Sequence, residues 1–451
     1  MARAPALLPL LALIALALAG CTQPAVEQPA LLPPLPAVPK LGFSEAMALP
    51  EGDNNGEPNL AVDMANRIIY GCAPGGSKLW ISLDGGATFN VTSPQMAAGP
   101  AGVPHLGGGD CDIAVDPAGA VYYADLWLGS TSVAVTTDQG ATWFDHPAAS
   151  ATVANDRQWL ATTTAGTAFL AYNQLATGPW VSRTTDGGRT WVPFPLFASA
   201  IDPMGYKTQL DFLFMGNIKA DAQGLLYVAW VAGNALAPNT LPAYPYVNAL
   251  MVSTSADQGQ TWAHHAVTTS DTSLGYLIPA LAIDAAGTPY VVWSQPNGEG
   301  FDVFVASSPD HGATWGAPVA VSEPGGSSVM PWVAAGAPGH VAIVWYGSNE
   351  TADPNEVQGA WFVHIAQLDG ADTASPTFTR GLVSPMSNHQ GPICTYGILC
   401  NGGRDLLDYF QVALDWDGLP HVIWSSDADR PSTQILYARG ILGDATNAAT
   451  S

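Results

Sequence analysis

Apolar residues along this chain come in short runs, and the runs come in pairs. Each run holds about five residues rich in Val, Ile, Tyr and Trp, and a turn with Asp or Gly separates the two members. The pairs read PNLAVDMANRIIYGC (58–72), CDIAVDPAGAVYYAD (111–125), WLATTTAGTAFLAYN (159–173) and NIKADAQGLLYVAW (217–230). They continue as ALAIDAAGTPYVVWS (280–294), VAAGAPGHVAIVWYG (333–347) and QVALDWDGLPHVIWS (411–425). Runs of this length around turn residues predict β-hairpins. No convincing long amphipathic helix breaks the series.

A second unit recurs between the hairpins. It reads SLDGGATF (82–89), TTDQGATW (136–143), TTDGGRTW (184–191), SADQGQTW (255–262) and SPDHGATW (308–315). A strand leads into it, as in STSVAVTTD (130–138) or DVFVASSPD (302–310), and another leaves it. The repeating unit is therefore four antiparallel strands, A to D, with the octapeptide at the C–D turn. Four-stranded units repeated at roughly 50 residues predict an all-β fold, the β-propeller. Seven A–B hairpins favour seven blades, with six as the alternative count. The sixth unit has a degraded C–D turn, QLDGADTASPTF (367–378), and an insertion near 348–357. The seventh stops after strand C, so GFSEAMAL (42–49) is expected to supply its outer strand and close the ring, which removes an open sheet edge.

Every recurring position of the octapeptide has a local use. Asp186 can accept backbone N–H groups in an Asx-type turn, and Gly188 supplies a φ that side chains resist. The Thr190 hydroxyl can satisfy another backbone group, and Trp191 fills the gap between sheets. The pattern Ser/Thr-x-Asp-x-Gly-x-Thr-Trp is similar to the Asp box, or bacterial neuraminidase repeat, of the sialidase superfamily of propellers. The resemblance spans about residues 41–443. It implies that Asp84, Asp138, Asp186, Asp257 and Asp310 are structural and sit on the rim face opposite the ligand. Strand alternation gives the same answer: A–B and C–D turns share one face, and B–C and D–A loops share the other.

Ligand chemistry is therefore expected where the chain enters strand A and leaves strand B. Those segments are polar: GDNNGEPN (52–59), GGGDCD (107–112), NDRQW (155–159), YKTQLDF (206–212) and GGRDLLDYF (402–410). The resemblance implies a sugar carboxylate held by three arginines, whose forks match carboxylates. It also implies a tyrosine nucleophile assisted by a glutamate, and an aspartic acid as acid/base. Arg157, Arg404 and Arg430 lie on the expected face, with Asp156 beside the first. Tyr409 with Asp405 or Asp408, and Tyr206 with Asp211, are the candidate nucleophile and acid. Loop-fixing ion pairs are the plainer reading of Asp156–Arg157 and Arg404–Asp405. The Arg-Ile-Pro-like motif of sialidases has its counterpart here in Arg67-Ile68-Ile69, which falls after an A–B turn on the opposite face. Glu57, Asp110, Asp112, Asp211, Asp405 and Asp408 could instead ring the mouth around Ca²⁺, with solvated loop acids as the alternative. No cofactor is otherwise required, and no histidine spacing suggests a metal.

The N-terminus and the charge place the protein. Arg3 precedes the apolar run Leu7 to Leu18, and Leu18-Ala19-Gly20-Cys21 is similar to a bacterial lipobox. Residues 1–21 thus read as a lipoprotein signal peptide lipidated at Cys21, with an ordinary cleaved signal as the alternative. Residues 22–40 hold six prolines and read as an extended tether, which at ~3.1 Å per residue reaches roughly 60 Å. The propeller follows at 41–443, and 444–451 reads as a disordered tail. Net charge is −24, with 37 acids against 13 bases, which excludes nucleic acid as a partner. Cys394 and Cys400 bracket a short loop and are expected to pair. Cys72 ends one strand B and Cys111 starts the next strand A on the same face, so they are expected to pair as well. The expectation is a monomeric, extracytoplasmic propeller anchored by lipid to a bacterial or archaeal membrane. Its partner would be a carbohydrate or a surface protein. Two functions follow: a mouth that binds a glycan or other anionic ligand and hydrolyses it as an exo-glycosidase, or a non-catalytic binding module.

Overall fold

The computed structural model describes residues 41–442, apart from 54, 95–105, 128–129, 151–153, 175–177, 198–213, 234–246, 272, 276–277, 398–399 and 429–431. The signal segment, tether and tail, together with Cys21, Tyr206, Asp211 and Arg430, lie outside the described residues.

Thirty strands build seven antiparallel sheets. Two N-terminal strands, β1 (Leu41–Phe43) and β2 (Met47–Asp53), precede the first blade. Blade 1 holds β3 (Asn59–Asp63), β4 (Ile68–Cys72), β5 (Leu79–Ser82) and β6 (Asn90–Thr92). Blade 2 holds β7 (Cys111–Val115), β8 (Val121–Trp127), β9 (Ser130–Thr136) and β10 (Phe144–His146). Blade 3 is β11 (Asn155–Thr162), β12 (Ala168–Gln174), β13 (Gly178–Thr184) and β14 (Val192–Pro195). Blade 4 is β15 (Phe214–Ala220), β16 (Leu226–Ala232), β17 (Ala249–Ser255) and β18 (Ala263–Thr269). Blade 5 follows with β19 (Ala280–Ile283), β20 (Pro289–Asn297), β21 (Gly300–Ser307) and β22 (Val319–Ala320). Blade 6 comprises β23 (Ser327–Ala335), β24 (Val341–Ser348), β25 (Ala360–Asp369) and β26 (Thr377–Leu382), with β27 (His389–Gln390) also paired to β25. Blade 7 is β28 (Gln411–Leu414), β29 (Pro420–Ser426) and β30 (Gln434–Leu442). Both β1 and β2 pair antiparallel with β30, in the registers Leu41↔Leu442 and Met47↔Tyr437.

The innermost strands touch in ring order, β3, β7, β11, β15, β19, β23, β28 and back to β3. They surround a central cavity of about 360 Å³, lined largely by apolar side chains such as Leu60, Ile113, Leu160 and Val333. Strands B are the most deeply buried, because each is covered on both faces by neighbouring sheets. In β12, β16 and β24 every residue is buried. That is why these runs read as continuous rather than alternating hydrophobic stretches. Aromatic pairs fill the wedges between blades, as Tyr346 of blade 6 does against Phe410 of blade 7 at 4.2 Å between ring centroids.

Polar pegs set the angle between blades. Asp112 on β7 accepts the Leu160 N–H of β11 at 2.6 Å. Asn217 on β15 bonds both the N–H and the C=O of Leu281 on β19. Gln411 on β28 accepts the Leu60 N–H at 2.8 Å and donates to the Asn59 side chain. Each peg points from one blade to the next. Both expected disulfides are present, Cys72–Cys111 between blades 1 and 2 and Cys394–Cys400 within the loop before blade 7. Among the described residues no helix is long and apolar enough to cross a membrane.

Candidate functional site at the channel mouth

The five octapeptide aspartates sit in C–D turns, with partners inside the turn. Asp186 Oδ1 accepts the Thr190 N–H at 2.9 Å, and Oδ2 accepts the Thr190 hydroxyl at 2.7 Å. The Thr184 hydroxyl donates to Asp186 and accepts the Gly188 N–H. Asp84, Asp138, Asp257 and Asp310 repeat the pattern with Thr88, Thr142, Thr261 and Thr314. Hydrogen bonds from the Thr88 side chain and then its N–H hold Asp84 down at about 2. The glycine has a second duty besides its φ of +87°: a Cβ on Gly188 would lie 2.7 Å from Val135 of the preceding blade. These turns lock neighbouring blades together.

The opposite face gathers ionic groups from four blades. Three residues there, Glu57, Arg157 and Leu407, hold φ values of +47°, +60° and +59° although none is glycine. Arg157 occupies a β-bulge in β11, between Asp156 and Gln158, which turns its side chain out of the pleat. Its Nη1 donates to Glu57 Oε1 at 3.0 Å, and its Nη2 donates to Asp408 Oδ2. Arg404 reaches the same Asp408, and the Asp408 N–H returns to Glu57 Oε1 at 3.1 Å. Arg157, Glu57 and Asp408 are all buried. Asp110, half-buried, hydrogen-bonds the Glu57 carboxyl.

This geometry splits the carboxyl groups. Burial pushes Glu57 well up, with Arg157 pulling against it and Asp110 adding to it. Burial raises Asp110 too. Asp408 is driven up by burial, but the two arginines overcome that and leave it below the ordinary carboxylate range. A low-dielectric site in which acids titrate apart is a feature of functional sites as well as of ion-pair networks.

Beneath the ions lies an aromatic floor. Tyr409 packs against Trp159 at 5.0 Å and Trp332 at 5.5 Å between centroids, bringing together blades 3, 6 and 7. Its hydroxyl accepts from Asn59 Nδ2 at 2.9 Å, and burial raises its pKa well above the ordinary phenol value. Of the residues singled out from sequence, Arg157, Arg404, Asp408 and Tyr409 meet at one place. Asp405 is exposed, and Asp156 is half-buried beside Arg157. The two arginines pair with Asp408 and Glu57 rather than with their sequence neighbours Asp156 and Asp405. Among the described residues no group of three or more His, Cys, Asp or Glu is arranged to hold a metal ion. Of the mouth acids, Glu57 and Asp408 pair with arginines and Asp112 accepts the Leu160 N–H.

Asn59, Gln158 and Gln411 were not anticipated. All three are buried amides on innermost strands; Asn59 and Gln411 open largely apolar runs, whereas Gln158 follows the polar start of β11. Several buried polar atoms on this face have no hydrogen-bond partner among the described residues. They include Asn55 Oδ1, Arg157 Nε, Gln158 Oε1, Trp159 Nε1 and Asn173 Oδ1. Buried polar groups are normally satisfied.

Fold and site together define a seven-bladed β-propeller with a polar, ion-paired channel mouth. Compared with protein-family models and with curated proteins, the sequence matches none. Among solved structures, polysaccharide lyase Uly1 is similar with a TM-score of 0.52 at 12% identity, covering 86% of this chain and 90% of that one. YCF48 from Cyanidioschyzon merolae gives 0.51 at 13% identity, covering 87% and 98%. The Hadza microbial sialidase Hz136 gives 0.42 at 12% identity, covering 82% and 73%. At these identities the likeness is one of fold.

Proposed function

We propose that the protein is an extracytoplasmic glycan-binding propeller, anchored through lipid on Cys21, whose mouth takes a neutral, hydroxyl-rich ligand rather than a sialoside. The observation that carries this reading is that both terminal nitrogens of Arg157 are already engaged by Glu57 and Asp408. Arg404 spends its charge on Asp408 as well. A sugar carboxylate would have to displace buried, charge-assisted bonds inside a protein of net charge −24. The unpartnered atoms around the mouth include both donors and acceptors, the mixture that hydroxyl groups satisfy. Two disulfides suit an oxidising compartment.

Glycan-array binding and a fluorogenic sialoside assay on the purified full-length protein test this. Retention of neutral glycans without sialoside turnover is expected; sialoside cleavage would overturn it. Replacing Cys21 by Ser and following membrane fractionation and palmitate labelling tests the anchor, which predicts loss of both. One observation favours hydrolysis at the same mouth. Glu57 is pushed toward its protonated form while Asp408 stays ionised, the division of labour that glycoside cleavage uses. Neutral aryl glycosides decide between the two: turnover abolished by Glu57→Gln with binding retained establishes hydrolysis, and no turnover removes it.

A further inference from the structure

A second concavity lies on the mouth side of the ring but away from the ion-paired centre, over the face of blade 6 that looks toward blade 5. It encloses about 490 Å³, within the range of small-molecule sites. We propose that this groove is a separate binding site for a neutral pyranose ring, seated on His364 and Phe362 beside Gly347 and gripped by Glu323, Asn349 and Arg380.

The register of the sheet builds the groove. Ser328, Gly347 and Phe362 form one row across β23, β24 and β25, and Trp345, His364 and Leu382 form the next across β24, β25 and β26. Large side chains fill the second row, but the first has only Ser and Gly before Phe362, so the surface steps down there. A Cβ on Gly347 would lie 2.6 Å from His364 Cδ2 and 3.2 Å from Trp345 Nε1, so the imidazole takes the space that a side chain at 347 would need, and only glycine allows this floor. Trp345 stacks on His364 at 5.5 Å and 19°, which fixes the imidazole plane. Phe362 and His364 remain half-exposed, and Leu382 is exposed.

Each wall carries a different hydrogen-bonding type. Glu323 accepts and is exposed on the connection from blade 5. Asn349 both donates and accepts. Arg380 is held in place, its Nε donating to Val321 O at 2.8 Å and its guanidinium lying 4.2 Å from the Phe378 ring centroid. With one carboxylate and one guanidinium in its lining, the groove favours an uncharged guest over either ion. An apolar C–H face meets the electron-rich faces of the aromatics, and hydroxyls meet the walls. The two rows are about 7 Å apart, two residues along a strand, which suits a ring better than an extended peptide. A peptide adding as a strand would also need an unpaired ladder edge, whereas β24 and β25 are paired on both sides. The groove does not depend on what the channel mouth binds.

Saturation-transfer NMR on the full-length protein, with glucose, galactose, mannose and their β-1,4-linked disaccharides as probes, tests the site. At least one sugar should bind and show saturation concentrated on its C–H face. Gly347→Val displaces the imidazole that forms the floor and lowers that affinity by about tenfold or more. Glu323→Ala combined with Arg380→Ala changes only exposed side chains and should weaken binding if Gly347→Val fails to fold. Hydroxyl-radical footprinting should show protection at Phe362, His364 and Leu382. Absence of binding by every probe overturns the groove. So does binding that both variants leave intact, or protection confined to the segments around Glu57, Arg157 and Asp408, and these last outcomes leave the channel-mouth reading standing.

Discussion

The two faces of the ring use carboxylates in opposite ways. On the turn face, Asp84, Asp138 and Asp310 are exposed and Asp186 and Asp257 half-buried, and all five take hydrogen bonds from residues at most four positions away. All five are held below the ordinary range. On the mouth face, Glu57, Asp110, Asp112 and Asp408 meet partners from other blades, and all but Asp408 are raised. The Arg157–Asp408 pair bridges 251 positions, and the Glu57–Asp408 bond bridges 351. Thr131, Asn248 and Ser327, also on that side, leave buried side-chain atoms unpartnered among the described residues. A motif that satisfies itself locally can recur anywhere a blade needs it. A cluster that needs four blades at once can occur only once, and it retains unsatisfied groups that a ligand can use.

The largest expected effect that separates the faces is at Arg157. Arg157→Ala strands two buried carboxyl groups and should cost about 3–5 kcal/mol in denaturant unfolding. Arg157→Lys should recover only part of this, because one ammonium cannot span both acids as the guanidinium does. If Arg157→Ala unfolds no more easily than Asp186→Ala, the two faces do not differ in kind. Next comes the Cys72–Cys111 staple, which closes a separation of 39 residues. Replacing both cysteines with serine should lower stability by about 2–4 kcal/mol.

Acid separates the faces by sign. Asp112 is raised by burial to about 6, while an unfolded aspartate titrates near 4. Its protonated form therefore favours the folded state below about pH 4, and that advantage is lost as pH rises through about 6. Asp112→Asn should accordingly match the native protein near pH 4 and exceed it above pH 6, by on the order of 2 kcal/mol. Asp84 runs the other way. Its contribution is present above about pH 4 and disappears as pH falls toward 2. Unfolding curves that show the same sign at both positions would break the contrast. The smallest effect is at a single turn: Asp186→Ala removes one cap-like carboxylate and should cost about 1 kcal/mol.

How much of this was written in the sequence follows from the same contrast. Hairpins and octapeptides are local, so the seven blades could be read from the repeat, and the cysteine pairings from a short loop and from the strand map the repeat supplies. The sequence also placed Arg157, Arg404, Asp408 and Tyr409 on one face, and they meet there. It could not show that Asp408 would draw both arginines together, because Arg157 and Asp408 are far apart in the chain and meet only once the ring closes. Nor could it distinguish Tyr409 as an exposed nucleophile from Tyr409 as a buried pillar, since both are a tyrosine at the start of an innermost strand. The groove of blade 6 was hidden for another reason. Gly347 reads as a break in an apolar run until the register shows which side chains flank it.

The pegs between innermost strands also have a direction, and it matters while the chain is being made. Asp112 waits for Leu160, and Asn217 waits for Leu281; in each case the peg is synthesised before the strand it will hold. Blades can thus be added in order as they emerge, each catching its successor over a separation of about 50 to 65 residues. Gln411 is the exception, because its target, Leu60, emerged 351 residues earlier. This contact is far more non-local than the other pegs, and contacts of that kind are slow to close. Until blade 7 arrives, blade 1 must persist with one flank exposed. The growing propeller is consequently most prone to misassociate just before it is complete.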